Sequence, residues 1–327
     1  MSQSSANRYR SHILAFAKQL SPAAIVLSGS FRLPKTDGIV VAGMGGSGLP
    51  GSILKELRDF LNLPLPILLW KDYGLPSHPF KHPLVLCISF SGETAETISA
   101  FHAARRAGHS LAVIAGGGKL LRLAGNHHIP CATFPHGDLT AREAIGYTWT
   151  SVQCLLKAYF PSLRTGDLSK IIRPKTFEQA GKKLASSLKG SVPLVYAESA
   201  YGHVGYIWKI NLNETGKISA FSHVIPEMVH NEIAGFETAP KMFVPLFLLD
   251  RGMNSKLSKK VKMVQAILKK RGFRILSVPL IGKTPEEKTL NSIILSHWTA
   301  LSIAKQNRKD PSSTAIINEI KQRVASQ

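Results

Sequence analysis

The feature that most constrains the fold is a series of short, almost wholly apolar runs, each followed by a segment of helical period. Residues 39–42, 67–70, 84–89, 110–115 and 129–134 alternate in this way with amphipathic stretches. Such runs read as buried strands, and their alternation with helices argues for a parallel sheet covered on both faces. A long helical pattern over 140–159 closes this half, and the polar, breaker-rich stretch 161–170 reads as a linker. The second half repeats the plan. Strands are expected at 192–197, 242–249 and 273–278, and a helix at 286–305. Asp310 as N-cap with Pro311 at the first helical position signals the start of a C-terminal helix. The expected class is α/β, with two doubly wound parallel-sheet subdomains divided at 160/161 and a C-terminal helix.

Two strand-to-helix junctions carry the chemistry. The run 84–88 leads into Ser89-Phe90-Ser91-Gly92-Glu93-Thr94, so three hydroxyls, from Ser89, Ser91 and Thr94, gather where a helix begins. The first turn of a helix has amide donors without intrahelical partners and a dipole that favours an anion. Hydroxyl donors added there make a cradle for a phosphate monoester. The plainer alternative is that these residues are helix caps. Upstream, Gly43-Met44-Gly45-Gly46-Ser47-Gly48 follows the strand at 38–42 and spells Gly-x-Gly-x-x-Gly. As a dinucleotide fingerprint it needs an acidic residue about 20 positions on. Asp72, after the next strand, comes later than that. The better reading is that Gly45 and Gly46 bring backbone close to a small anion, with Ser47 as a further donor.

Composition narrows the partners. With 44% hydrophobic and 19% charged residues, the 327-residue chain has room for two ordinary cores. Cys87, Cys131 and Cys154 form no metal-type pair, and His127, His128 and His203 lack ligand partners at metal spacing, so no metal is expected. Widely spaced cysteines and a polar segment 1–11 without an apolar signal core point to a cytoplasmic protein. The run 242–249 is too short to cross a bilayer. The formal charge of +21 raises nucleic acid as a partner. Lysines and arginines are scattered, and the dense runs 256–262 and 269–274 overlap a helical pattern whose polar face is naturally lysine-rich. No basic–aromatic interleaving or recognition module accompanies them, so no specific nucleic-acid or membrane partner is expected.

Together the glycine loop and the Ser89–Thr94 loop resemble the sugar isomerase (SIS) domain. More closely, the chain resembles the bifunctional phosphoglucose/phosphomannose isomerase family from Gly38 to Lys321. Further landmarks are Asp72-Tyr73 with Pro76, Arg142 before Gly146-Tyr147, Asn213-Glu214, His230-Asn231-Glu232-Ile233, and Asp310-Pro311 through Thr314 to Lys321. The resemblance implies an aldose–ketose isomerase acting on sugar phosphates through a cis-enediol, with no metal or organic cofactor, as a homodimer. It makes Glu214 the base and His230 the ring-opening group, delivered across the dimer interface. Arg142 is placed near the enediolate and Lys321 near the sugar. Thr314 stands where a small residue accompanies acceptance of both epimers, glucose 6-phosphate and mannose 6-phosphate. Gly45, Gly46, Ser47, Ser89, Ser91 and Thr94 would hold the phosphate. Glu93 departs from a frequent asparagine; a carboxylate there opposes phosphate if it points inward and is harmless if it points outward.

The residues alone leave other classes open. A noncatalytic sugar-phosphate sensor keeps the hydroxyl cradle and needs neither Glu214 nor His230. An oxidoreductase would use the glycine loop for a nicotinamide dinucleotide.

Overall fold

The computed structural model describes residues 3–32 and 35–325. The chain forms two compact units, one of residues 15–172 and one of residues 1–14 with 173–327, where the sequence had suggested a division at 160/161.

The chain opens with helix α1 (Gln3–Ala15), which belongs with the second unit up to residue 14. In unit 15–172 the elements are β1 (Val26–Ser28), β2 (Gly38–Ala42), α2 (Gly45–Leu57), β3 (Ile67–Trp70), β4 (Pro83–Ser89), α3 (Ala95–Arg106), β5 (Ser110–Ala115), α4 (Gly118–Asn126), β6 (Cys131–Thr133) and α5 (Ile145–Tyr159). They build a six-stranded sheet in the order β1-β6-β5-β4-β2-β3. All pairings are parallel except β1 with β6, where Leu27 lies opposite Ala132. Strands β2 and β4 are buried throughout, which is why they read as uninterrupted apolar runs. Val40, Val85, Cys87, Phe101 and Val113 share one core under α3 and α4. Chain direction across the sheet reverses between β2 and β4, so the loops after these two strands open onto one crevice.

The second unit continues with α6 (Glu178–Ser187), β7 (Val192–Glu198), α7 (Gly202–Glu214), β8 (Phe221–Ile225), β9 (Phe243–Leu249), α8 (Ser255–Lys270), β10 (Leu276–Pro279), α9 (Pro285–Gln306) and α10 (Ala315–Ala325). Its four strands are all parallel, in the order β10-β9-β7-β8. Alternation along β7 sorts the two cores. Val195 and Ala197 pack with Trp208, Leu246 and Leu248 under α7 and α9, whereas Leu194 and Tyr196 pack with Phe247, Val261 and Val264 under α8. Each of these large side chains contributes about 1.5–3 kcal/mol of burial free energy.

Three expectations change. The C-terminal helix starts at Ala315 instead of at Pro311, because the Asp310 carboxylate closes a local turn by accepting the Ser312 amide at 2.9 Å. The long pattern at 140–159 is helical only from Ile145, after the turn at Thr140. Strands β1 and β8 were not anticipated; both lie at sheet edges, β1 exposed along its length at the end of the apolar run 23–27 and β8 carrying Ser222 and His223.

Candidate active site

The loops after β2 and β4 are built into each other. Ser47, in the first turn of α2, is buried, and its Oγ accepts the Phe90 amide at 2.9 Å. Ser89 Oγ accepts the Gly92 amide at 3.0 Å and lies 2.8 Å from Thr94 Oγ1. Ser91 Oγ accepts the Glu93 amide at 3.2 Å. Thr94 stands at the N-cap of α3, yet its side chain makes no capping bond. The hydroxyls are therefore mostly acceptors toward the loop itself. A hydroxyl has one proton and two lone pairs, so Ser47 and Ser91 each keep a proton to donate, and the Ser89–Thr94 pair, which uses one of its two, keeps another. Three such protons beside the free amides of the first turn of α3 match the oxygens of a phosphate monoester.

Glycine is required in this loop by geometry. Gly92 has φ +71°, and a Cβ on it would lie 1.9 Å from the Gly117 carbonyl oxygen. Gly48 packs so closely that a Cβ would meet the Gly43 carbonyl oxygen at 2.5 Å, which accounts for the last glycine of the upstream fingerprint without any nucleotide. Glu93 points away from the cradle. Its Oε1 accepts the Lys119 amide at 2.8 Å, in the first turn of α4, with Arg122 at 3.7 Å.

Arg142 is also brought to this region, and it is buried. A Cβ on Gly46 would approach the Ala141 carbonyl carbon and the Arg142 nitrogen at 3.0 Å, so the backbone of the glycine loop lies against that of Arg142. The turn carrying Arg142 is fixed by Glu143, whose Oε2 accepts both the Thr140 amide (3.1 Å) and hydroxyl (2.6 Å). Gln19 donates to the Glu143 carbonyl at 2.9 Å and accepts the Tyr147 amide at 3.3 Å. Gln19 and Glu143 support the site from behind. Sequence reading missed both, since neither belongs to a motif with a chemical signature.

In the other unit, Glu214 is the last residue of α7 and is half-buried. Asn213 Oδ1 accepts the Ala220 amide at 2.8 Å, holding the turn that follows. Lys217 donates through Nζ to the carbonyl oxygens of both Glu214 and Ser313. This ties the segment bearing Thr314 to the helix end bearing Glu214, and a cation at a helix C-terminus is favourable in its own right. Thr314 is half-buried and accepts the Asn318 amide at 2.9 Å, at the start of α10. The side chain of Lys321 lies outside the described residues.

His230 is not brought to Glu214. A helix following a parallel strand runs back along the sheet, so Glu214, ending α7, lies toward the amino ends of the strands. His230, exposed on a single turn after β8, lies beyond the carboxyl ends. Five residues of β8 alone separate the two edges by about 16 Å. The His230 loop is organised by its neighbour Glu232, whose Oε1 accepts the Tyr196 hydroxyl at 2.8 Å and whose Oε2 lies 3.1 Å from His223 Nδ1. Burial and this carboxylate push the Tyr196 phenol well above its ordinary range.

The direction reversal of this second sheet, between β7 and β9, holds no hydroxyl cradle. Lys288 Nζ donates to both oxygens of Asp250 (2.7 and 2.8 Å), and the Tyr201 hydroxyl donates to the same carboxylate at 3.2 Å. Burial, together with Asp250, raises the carboxyl of Glu198 at the end of β7. Among the described residues no helix is long and apolar enough to cross a membrane.

Residues 177–324 match the bacterial phospho-glucose isomerase C-terminal SIS domain. The bifunctional phosphoglucose/phosphomannose isomerase of Aquifex aeolicus is 30% identical over 288 residues, covering 87% of this chain and 89% of that one. The D-glucosamine-6-phosphate 4-epimerase of Sulfolobus acidocaldarius is 30% identical over 215 residues, covering 64% and 68%. Among solved structures, the C-terminal domain of glucosamine-fructose-6-phosphate aminotransferase from Francisella tularensis superposes with a TM-score of 0.71 at 14% identity, over 93% of this chain and 98% of that domain. That likeness shows a shared fold over 93% of the chain, both units included. With an isomerase relative at 30% identity over most of both sequences, the chain belongs to the bifunctional phosphoglucose/phosphomannose isomerase family.

Proposed function

We propose that the protein interconverts glucose 6-phosphate, fructose 6-phosphate and mannose 6-phosphate by a metal-independent cis-enediol mechanism. The observation that carries this reading is the interlocked hydroxyl cradle in a chain of this family, with Ser47, Ser89, Ser91 and Thr94 holding the phosphate. Gly45 and Gly46 let backbone approach it. Glu214 takes the proton from C2 of the open-chain aldose and returns it to C1, while the hydroxyl proton of O2 passes to O1. Arg142 offsets the negative charge of the enediolate, and Lys321 approaches the sugar. Thr314, small and tied to the Glu214 helix end through Lys217, leaves room for either configuration at C2. His230 moves a proton between the ring oxygen and O1 to open the pyranose. Because Glu214 and His230 lie toward opposite edges of one sheet, a single chain does not join them, and His230 is supplied by a second copy in a homodimer.

The test is to incubate the full-length protein with fructose 6-phosphate and EDTA and to quantify both aldose products. Glucose 6-phosphate and mannose 6-phosphate are expected together. Glu214→Gln is expected to keep the thermal stabilisation by substrate and to lose at least about a thousandfold in kcat. Stabilisation by fructose 6-phosphate without any turnover in the unmodified protein would assign it as a sugar-phosphate sensor. Turnover only of an amino-sugar phosphate would assign it to epimerase chemistry.

A further inference from the structure

Helices α7 and α9 are joined by a ladder of buried polar pairs. His203 Nε2 lies 3.0 Å from Thr289 Oγ1, Trp208 donates to Ser292 Oγ at 2.9 Å, and Asn211 donates to Ser296 Oγ at 2.7 Å. Beside the last rung lies a further link. Tyr9 of α1 inserts its hydroxyl between the two helices, 2.9 Å from Thr215 Oγ1 and 2.8 Å from His297 Nδ1. Tyr9, Thr215 and His297 are all buried. Adjacent residues of α9, Ser296 and His297, thus hold positions on either side of Glu214: Asn211, one turn before it, directly, and Thr215, the next residue, through Tyr9.

We infer that Tyr9 and His297 are positioning residues for Glu214, fixing the last turn of α7 so that its carboxylate meets the substrate carbons in register. This rests on Glu214 as the base. The physical case is the exposure of a helix end to fraying. The last carbonyls of α7 lie beyond the intrahelical ladder and are held by the segment that follows, Asn211 accepting the Thr215 and Gly216 amides and Glu214 accepting Lys217 Nζ, so the base keeps its place only as firmly as that segment is tied from outside. Proton transfer between carbons tolerates little displacement, since a shift of about 1 Å can cost a hundredfold in rate. The Tyr9 hydroxyl can donate to one neighbour while accepting from the other, so it ties the segment just past Glu214 to the rigid middle of α9. Helix α1 itself is anchored by Arg10, which donates to both oxygens of Glu178 at 3.1 and 2.9 Å. Sequence offered no sign of this, because the bonded atoms come from residues 206 and 288 positions apart.

The ladder supplies its own control. Thr289 pairs with His203 at the start of α7, about 16 Å from Glu214 along the helix. In the full-length protein, Tyr9→Phe and, independently, Thr215→Val are expected to lower kcat for fructose 6-phosphate about tenfold with KM within about twofold. Thr289→Val removes a comparable buried bond and is expected to lower Tm to a similar extent with kcat unchanged. The Tyr9→Phe/Thr215→Val double variant is expected to be no slower than the worse single variant, because both remove the same bond. Wild-type kcat in Tyr9→Phe, or an equal loss in Thr289→Val, would leave Tyr9 a purely structural residue. Glu214→Gln is measured alongside. Turnover in that variant refutes the base itself, whereas its inactivity beside a fully active Tyr9→Phe refutes only the positioning.

Discussion

Ser89 and Thr94 meet through their hydroxyls, Oγ to Oγ1 at 2.8 Å, across the turn that joins β4 to α3. The bond engages Thr94, whose side chain makes no capping bond to α3, and leaves one proton of the pair free to donate elsewhere.

Removing that donor should weaken phosphate recognition more than catalysis. Thr94→Val is expected to raise KM for fructose 6-phosphate about tenfold, the worth of one hydrogen bond to a charged group, with kcat within a few-fold. Competition by inorganic phosphate should weaken in parallel. Steady-state kinetics at several phosphate concentrations check both, and an unchanged inhibition constant would place the phosphate elsewhere.

Glu93 should matter to stability and not to the substrate. Its carboxylate accepts an amide in the first turn of α4, where negative charge is favoured by about 0.5–1 kcal/mol. Glu93→Ala is expected to cost about that much in urea unfolding while KM stays within about twofold. A several-fold fall in KM would instead mean that the carboxylate had been repelling the phosphate.

His203 should make the fold sensitive to acid. Burial holds its imidazole down to about 3, from an ordinary value near 6.5. The unfolded chain therefore takes up a proton below about pH 6.5 that the folded chain refuses until about pH 3. Its contribution is complete above pH 6.5 and is lost as pH falls through that window, by up to about 1.4 kcal/mol per pH unit. Comparing urea unfolding at pH 7.5 and 4.5, His203→Gln is expected to shrink the difference by on the order of 2 kcal/mol. An unchanged difference would mean that His203 already titrates normally.

The parts of the candidate site legible in the sequence are those set by local chain geometry. A strand, a glycine and three hydroxyls within ten residues gather donors at a helix start, and this loop and the glycine loop with Ser47 both lie at the reversal point of the first sheet. Glu214 was legible only by its motif, and its setting was not. Chemistry was expected at the carboxyl ends of the strands; the two glycine-and-hydroxyl loops are there, while Glu214 lies toward the other edge of its sheet. Gln19, Glu143, Lys217, Tyr9 and His297 were invisible, because each acts through a backbone atom or a partner remote in sequence. Asp310-Pro311 misled for a local reason, since the carboxylate that caps a helix closes a tight turn equally well.

The sequence by itself determined the periodicities, hence the parallel sheets and their covering helices, and the glycine-and-hydroxyl composition of the loops. These follow from side-chain size, backbone freedom and capping chemistry acting over a few residues. Tertiary structure alone decided which hydroxyl pairs with which, where Glu93 points, and what holds the end of α7. It also decided that Glu214 and His230 lie toward opposite edges of one sheet. Those outcomes depend on how segments pack in three dimensions, with hydrogen-bonded partners from 5 (Ser89 and Thr94) to 288 (Tyr9 and His297) positions apart, and no local preference specifies such pairings.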